Sequence, residues 1–231
     1  MCSDQQTPAE LAGHPGRLQW NARYERGFAA SFVPHPLAVW ALAIGPPDGP
    51  VLDLACGPSG SALLAAEAGR PVTAVDVSDV ALGLLGEQAR SRGLSGLITL
   101  IQADLLTWRP PRGKYSLVLC TGYWDRAVFA AGTAAVAAGG LLGWEAFTEA
   151  ARQARPGLCP QWCLGAGEPA ALLPAGFELI SQDDVTDGER GTRRRMLATR
   201  MQAGAEARPR TAGGDMRGAA GAGMPRPDPP S

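Results

Sequence analysis

The stretch Val51-Leu-Asp-Leu-Ala-Cys-Gly-Pro-Ser-Gly60 constrains this chain more than any other, because a short apolar run enters a glycine turn that opens a helix. Glycines at such a turn let the backbone approach a ligand closely, and the helix start offers unpaired N–H groups. Asp53 stands two residues before the turn, where a loop built for phosphate would not place a carboxylate. The crevice therefore suits a cationic ligand. Val72-Thr-Ala-Val-Asp76 ends a second apolar run in another acid, at about the 20-residue interval after which a βαβ unit sets a carboxylate on a ribose diol. Two acids flank one crevice.

The alternation continues along the chain. Strands are expected near 51–54, 72–76, 97–101, 115–120 and 140–146, with helices over 60–68, 79–92 and Arg126–Ala138. Val, Leu and Ile run together in these strands, as they do in a parallel sheet covered by helices on both faces. Gly69 and Gly93 follow two of the helices, where a C-terminal cap favours positive φ. A last pair of strands, 176–181 and 192–199, is joined through Val185-Thr-Asp-Gly-Glu189, and so short a link makes the pair antiparallel.

Three further strings follow in order: Gln102-Ala-Asp104-Leu105, Tyr115-Ser-Leu-Val-Leu-Cys-Thr-Gly-Tyr-Trp124 and Gly139-Gly-Leu-Leu-Gly-Trp-Glu-Ala-Phe147. As an ordered set, over roughly residues 17–200, the chain resembles the class I S-adenosylmethionine-dependent methyltransferases. The resemblance implies a Rossmann-like α/β fold: seven strands in the order 3-2-1-4-5-7-6, mostly parallel, with the last pair antiparallel. It implies S-adenosyl-L-methionine as cofactor. Asp76 would meet the ribose hydroxyls, while Val77, Asp104 and Leu105 would lie about the adenine. Ala55, Cys56 and Gly57 would pass the methionine end, with Asp53 on its cationic side and Cys120 near the sulfonium. Within the superfamily, Trp20-Asn-Ala-Arg-Tyr24, Tyr123-Trp-Asp-Arg126 and Trp162-Cys-Leu-Gly-Ala-Gly-Glu168 are similar to strings of the small bacterial tellurite-resistance-like group. Trp20 and Tyr24 would then belong to a cofactor lid, and Tyr123 and Trp124 would bound the reacting methyl as the catalytic aromatic pair.

Departures from the family pattern are local. Ala55 and Ser59 stand where glycine is usual, and the small Cβ they add leaves the turn intact if both positions keep negative φ. Ser116 stands where the fourth strand often begins with an acid.

A chain of 231 residues suits one domain, expected over 17–202, with lid-like helices at 17–45 broken by Pro34 and Pro36. Residues 1–16 read as a flexible N-terminus. Residues 203–231, without Leu, Ile, Val or an aromatic, read as a disordered tail. The net charge of −1 gives no grip on nucleic acid. Neither a membrane-spanning run nor a signal-peptide core is evident, which places the protein in the cytoplasm. Five cysteines are an odd number and read as reduced thiols, and the close pair Cys159 and Cys163 lacks the second half of a metal site.

Methyl transfer is an in-line displacement that needs positioning and a dry site more than a base. Neither His14 nor His35 falls in a motif, and Asp125 reads as the N-cap of the helix after it. Thr148–Pro174 is the expected wall for a small-molecule acceptor, with Arg126, Arg152 and Arg155 as candidate anion contacts. A catalytically silent cofactor-binding protein is the alternative. A nicotinamide oxidoreductase is disfavoured by Asp53 beside a pyrophosphate and by Lys114 being the sole lysine.

Overall fold

The computed structural model describes residues 7–27, 31–187 and 191–202, so the expected tail at 203–231 and residues 1–6 of the expected N-terminus lie outside the described residues. The elements in chain order are α1 (Pro15–Glu25), α2 (Pro36–Ile44), β1 (Val51–Leu54), α3 (Gly60–Glu67), β2 (Val72–Asp76), α4 (Asp79–Ser91), β3 (Ile98–Gln102), β4 (Tyr115–Thr121), α5 (Arg126–Ala135), β5 (Val136–Phe147), α6 (Ala151–Ala154), β6 (Phe177–Asp187) and β7 (Gly191–Arg200).

The seven strands form one sheet in the order β3-β2-β1-β4-β5-β7-β6. β1 to β5 pair in parallel, and β7 runs antiparallel to both β5 and β6. Alternate residues feed two cores. Leu37, Ala41, Ala62, Leu63, Leu85, Leu117, Leu119 and Leu197 pack the face covered by α2, α3 and α4. Leu52, Leu54, Val118, Cys120, Phe129, Trp144 and Met196 pack the face covered by α5. Helices thus cover both faces, and the carboxyl ends of β1, β2, β4 and β5 share one edge, where open α/β sheets bind ligands.

Several boundaries differ from the sequence expectation, for physical reasons. The helix expected to reach Ala138 stops at Ala135, and β5 begins at Val136 rather than near 140. Pairing shifts from Tyr115↔Val136 to Leu117↔Leu141, so residues 137–140 bulge, with Gly139 at φ 74. β6 and β7 are longer than expected, and residues 185–187, read as link, are paired strand. Residues 7–14, read as irregular, include a 3-10 turn at Ala9–Leu11 that buries Leu11. Ser116, at the position lacking an acid, donates to the Pro50 carbonyl and accepts from Arg70, which ties the start of β4 to the 46–50 loop.

Candidate active site

The turn after β1 is built from its own side chains. Ser59 caps α3 by accepting the Ala62 N–H at 2.9 Å, and its hydroxyl donates to Asp53 Oδ2 at 2.6 Å. Asp53 is 2% exposed. Burial, partly offset by the Ser59 hydrogen bond and reinforced by Asp76, pushes its carboxyl up to about 7. Asp76 ends β2 and clamps the crevice from the other side. Its Oδ2 accepts the Gly57 N–H and its Oδ1 the Ser78 N–H, each at 2.8 Å. Burial raises the Asp76 carboxyl, against the pull of these backbone donors. The Val77 N–H is a third backbone donor acting on this carboxylate.

One condition read from the sequence for this turn is not met. Ala55 adopts φ 49, in the left-handed region, whereas Ser59 keeps φ −78. The chain must reverse here to bring the Cys56 N–H onto the Val75 carbonyl, at 3.1 Å, and alanine accepts the strain that glycine would avoid. Gly57, at φ 57, is indispensable in a different way. A Cβ there would lie 3.1 Å from the Tyr24 hydroxyl, so its bare Cα keeps the space between turn and α1 open.

α1 lies across this crevice and is tied down through α4. Arg17 and Asn21 both donate to Asp79, Ser78 donates to Asn21, and α1 is capped by His14, whose Nε2 lies 3.6 Å from Asp104 Oδ2. Trp20 and Tyr24 stack with centroids 6.1 Å apart, one turn apart on the helix. Burial and the neighbouring Asp76 push the Tyr24 phenol up. Asp104 also accepts the Leu106 N–H, and Leu105 is buried beside it. The structure therefore brings Tyr24, Asp53, Ala55, Cys56, Gly57 and Asp76 together. It sets Asp104 at the His14 end of the same helix. Cys56 and Cys120 are thiols pushed well up by burial and by the two nearby carboxylates, which makes them poor nucleophiles.

The expected aromatic pair at the end of β4 separates. Tyr123 is half-buried, its phenol pushed up to about 12 by burial and by Asp125, Cys120 and Asp104. Trp124 is 3% exposed and packs against Phe129 and edge-on to Trp144, so it belongs to the core and not to an acceptor wall. The turn that follows forces this inward direction, because Asp125 caps α5 by accepting the Ala127 and Val128 N–H groups.

One cluster escaped the sequence reading. Glu145 is 1% exposed on β5 and lies between His35, Arg193 and Arg195. Its presence within the apolar run 141–147 signals a buried charge in need of partners. Of the arginines singled out earlier, Arg126 pairs with Glu168, Arg152 with Glu149, and Arg155 sits over the Phe147 ring.

Beyond β5 two clefts adjoin, of about 250 and 230 Å³, sharing Glu149, Leu164 and Gly165. Thr148 and Arg194 line one; Arg126, Gln161 and Cys163 line the other. They span the edge from the end of β5 to the start of α5.

A family model described as a methyltransferase domain matches residues 51–140, the span from β1 into β5. The sheet order, with its antiparallel last pair, is that of the class I S-adenosylmethionine-dependent methyltransferase fold. No curated protein sequence matches the chain. Among solved structures it is similar in fold to magnesium protoporphyrin IX methyltransferase from Synechocystis PCC 6803, with a TM-score of 0.62 at 17% identity over 80% of this chain and 97% of that one. A protein solved in work on the conversion of a disulfide bond into a thioacetal group during echinomycin biosynthesis gives 0.61 at 21% identity, covering 80% and 93%. Geranyl diphosphate C-methyltransferase from Streptomyces coelicolor A3(2), solved with S-adenosyl-L-homocysteine, gives 0.58 at 14% identity, covering 71% and 75%.

Proposed function

We propose that the chain methylates a small molecule seated in the paired clefts over the carboxyl edge of β4 and β5. The observation that carries this reading is the continuity of those clefts, from Thr148 just after β5 to Arg126 at the start of α5, the helix that follows β4. S-adenosylmethionine, when bound, supplies a methyl group on a positively charged sulfur. Asp76 holds the ribose through its carboxylate, Asp104 and Leu105 receive the adenine, and the turn at Ala55–Gly57 carries the methionine end. Tyr24 and α1 exclude water from above. Structural relatives whose substrates are small, magnesium protoporphyrin IX and geranyl diphosphate, support the choice of acceptor size.

Geometry leaves the two histidines and the two nearby tyrosines poorly suited to act as a base. His35 Nδ1 accepts the Leu37 N–H at 3.1 Å, and His14 Nδ1 accepts the Arg17 N–H, so both lone pairs are committed. The raised phenols of Tyr24 and Tyr123 are donors. An acceptor that ionises by itself, such as a thiol, fits this site better than an alcohol. The test is transfer of labelled methyl to a panel of thiols and alcohols spanning a range of pKa. Turnover that tracks each thiol's own ionisation supports the proposal. With the cofactor saturating, a pH profile governed by one enzyme group and unchanged across acceptors refutes it.

A further inference from the structure

We propose that Asp53 releases a proton to solvent when the cationic methionine end of the cofactor enters, so that cofactor uptake in this chain is coupled to proton release. The inference rests on the cofactor reading of the site given above, and adds a linkage to it.

The geometry is that of a buried acid without a counter-ion. Asp53 is sealed beneath the turn and accepts one side-chain hydrogen bond, from Ser59, whose hydroxyl is already engaged in capping α3. Among the described residues no arginine, lysine or histidine is ion-paired with it. The titratable groups around it come from every neighbouring element, and each is an acid: Asp76 from β2, Cys56 from the turn, and Cys120 from β4. From above, α1 adds the Tyr24 phenol, which feels both Asp76 and Cys56. The one cation of α1 felt in this group, Arg23, acts on the Tyr24 phenol, and none is ion-paired with Asp53 among the described residues. Leaving a lone carboxylate in such a place is costly, and a buried acid avoids the cost by keeping its proton.

A ligand cation reverses the balance, because an opposite charge within a few ångströms favours the carboxylate. The Asp53 O–H bond then breaks, its proton passes to the buffer, and the electron pair stays on the carboxylate facing the cation. With the free carboxyl near 7, about half a proton should leave per ligand bound at pH 7. Affinity should rise with pH by up to about tenfold per unit below 7 and level off above it.

The experiment is calorimetric titration of the full chain with S-adenosylhomocysteine, whose ammonium is the cationic probe. It is run at pH 6, 7 and 8 in phosphate and in Tris, whose different ionisation heats expose the protons exchanged. Proton release at pH 7 that disappears in Asp53→Asn, with circular dichroism unchanged, supports the proposal. Should that variant fail to fold, the rise of wild-type affinity from pH 6 to pH 7 followed by a plateau supports it independently. Buffer-independent heats with pH-independent affinity overturn the coupling and leave the methyltransferase reading standing. Failure to bind at all overturns both.

Discussion

His35 Nε2 lies 3.1 Å from Glu145 Oε1 while its Nδ1 accepts the Leu37 N–H, which places the ring proton on Nε2 and aims it at the carboxylate. One imidazole thus caps α2 and partners a buried charge on β5, and its backbone N–H reaches Ser61 on α3. The three elements meet beside the cofactor turn.

Glu145 depends on that arrangement. Burial alone would push its carboxyl up, but the His35 hydrogen bond, with Arg195 and Arg193, holds it down at about 2. An acid whose folded value lies below its ordinary one stabilises the fold fully above that ordinary value, and the contribution fades as pH falls toward the folded value. The window here runs from about 4.5 down to about 2, and the shift corresponds to about 3 kcal/mol. Glu145→Gln should lose roughly that much at pH 7, because two guanidinium groups lose their counter-charge. Denaturant melts of wild type and variant should converge as pH approaches 2. Parallel curves across the window would show that the cluster is not coupled to folding.

Ala55 offers a test of the opposite sign. A left-handed residue with a Cβ costs about 1–2 kcal/mol, partly offset because alanine has less freedom than glycine to lose on folding. Ala55→Gly should therefore leave stability unchanged or raise it by up to about 1 kcal/mol, with cofactor affinity retained. A clear loss of thermal stability in the variant would mean that the alanine methyl makes packing contacts worth more than the strain.

The separation of Tyr123 from Trp124 divides their expected phenotypes. Trp124→Ala empties a packed aromatic site between Phe129 and Trp144 and should cost about 3–5 kcal/mol in stability. Tyr123 packs its half-buried ring against the margin of that core, and its backbone carbonyl accepts from Trp144 Nε1 at 3.0 Å and from Cys120 Sγ. Tyr123→Ala preserves that carbonyl, so it should lose clearly less stability than Trp124→Ala while turnover falls more than cofactor binding. Equal loss of stability in both variants would return Tyr123 to the core.

The sequence was legible where periodicity and glycine spacing carry the information. The strand–helix alternation, the paired acids at Asp53 and Asp76, and the Asp125 cap all follow from local rules of that kind, while the strand order was implied only by the family resemblance. What escaped it depends on direction. Nothing in Tyr123-Trp124 says which ring turns inward, since that is decided by the α5 cap and by the space beside Trp144. The φ of Ala55 is set by the Cys56–Val75 hydrogen bond, a contact between strands. Glu145 was quoted only within an apolar string; its partners come from residues 35, 193 and 195, brought together by the antiparallel pairing Glu145↔Arg195 and by α2.

Asp76 carries the last prediction, because the proposed ribose contact adds a second task to the one the structure shows. Its oxygens hold the Gly57 and Ser78 N–H groups, which fix the turn and the start of α4. Asp76→Asn sets an amide NH₂ against one of those backbone N–H groups, an arrangement in which two donors meet and one of them is left unsatisfied. It should cost about 1–3 kcal/mol in stability and, by removing an acceptor for the ribose diol, at least about tenfold in affinity for S-adenosylhomocysteine. Ser78→Ala separates the two effects. It removes the cap of α4 and the bond to Asn21, a loss of about 1 kcal/mol or more, yet leaves both Asp76 oxygens in place. If Asp76 binds the ribose, the serine variant should lose comparable stability while keeping near-normal affinity, measured by calorimetry. Equal affinity losses in the two variants would make Asp76 a clamp for the turn and not a ligand of the cofactor.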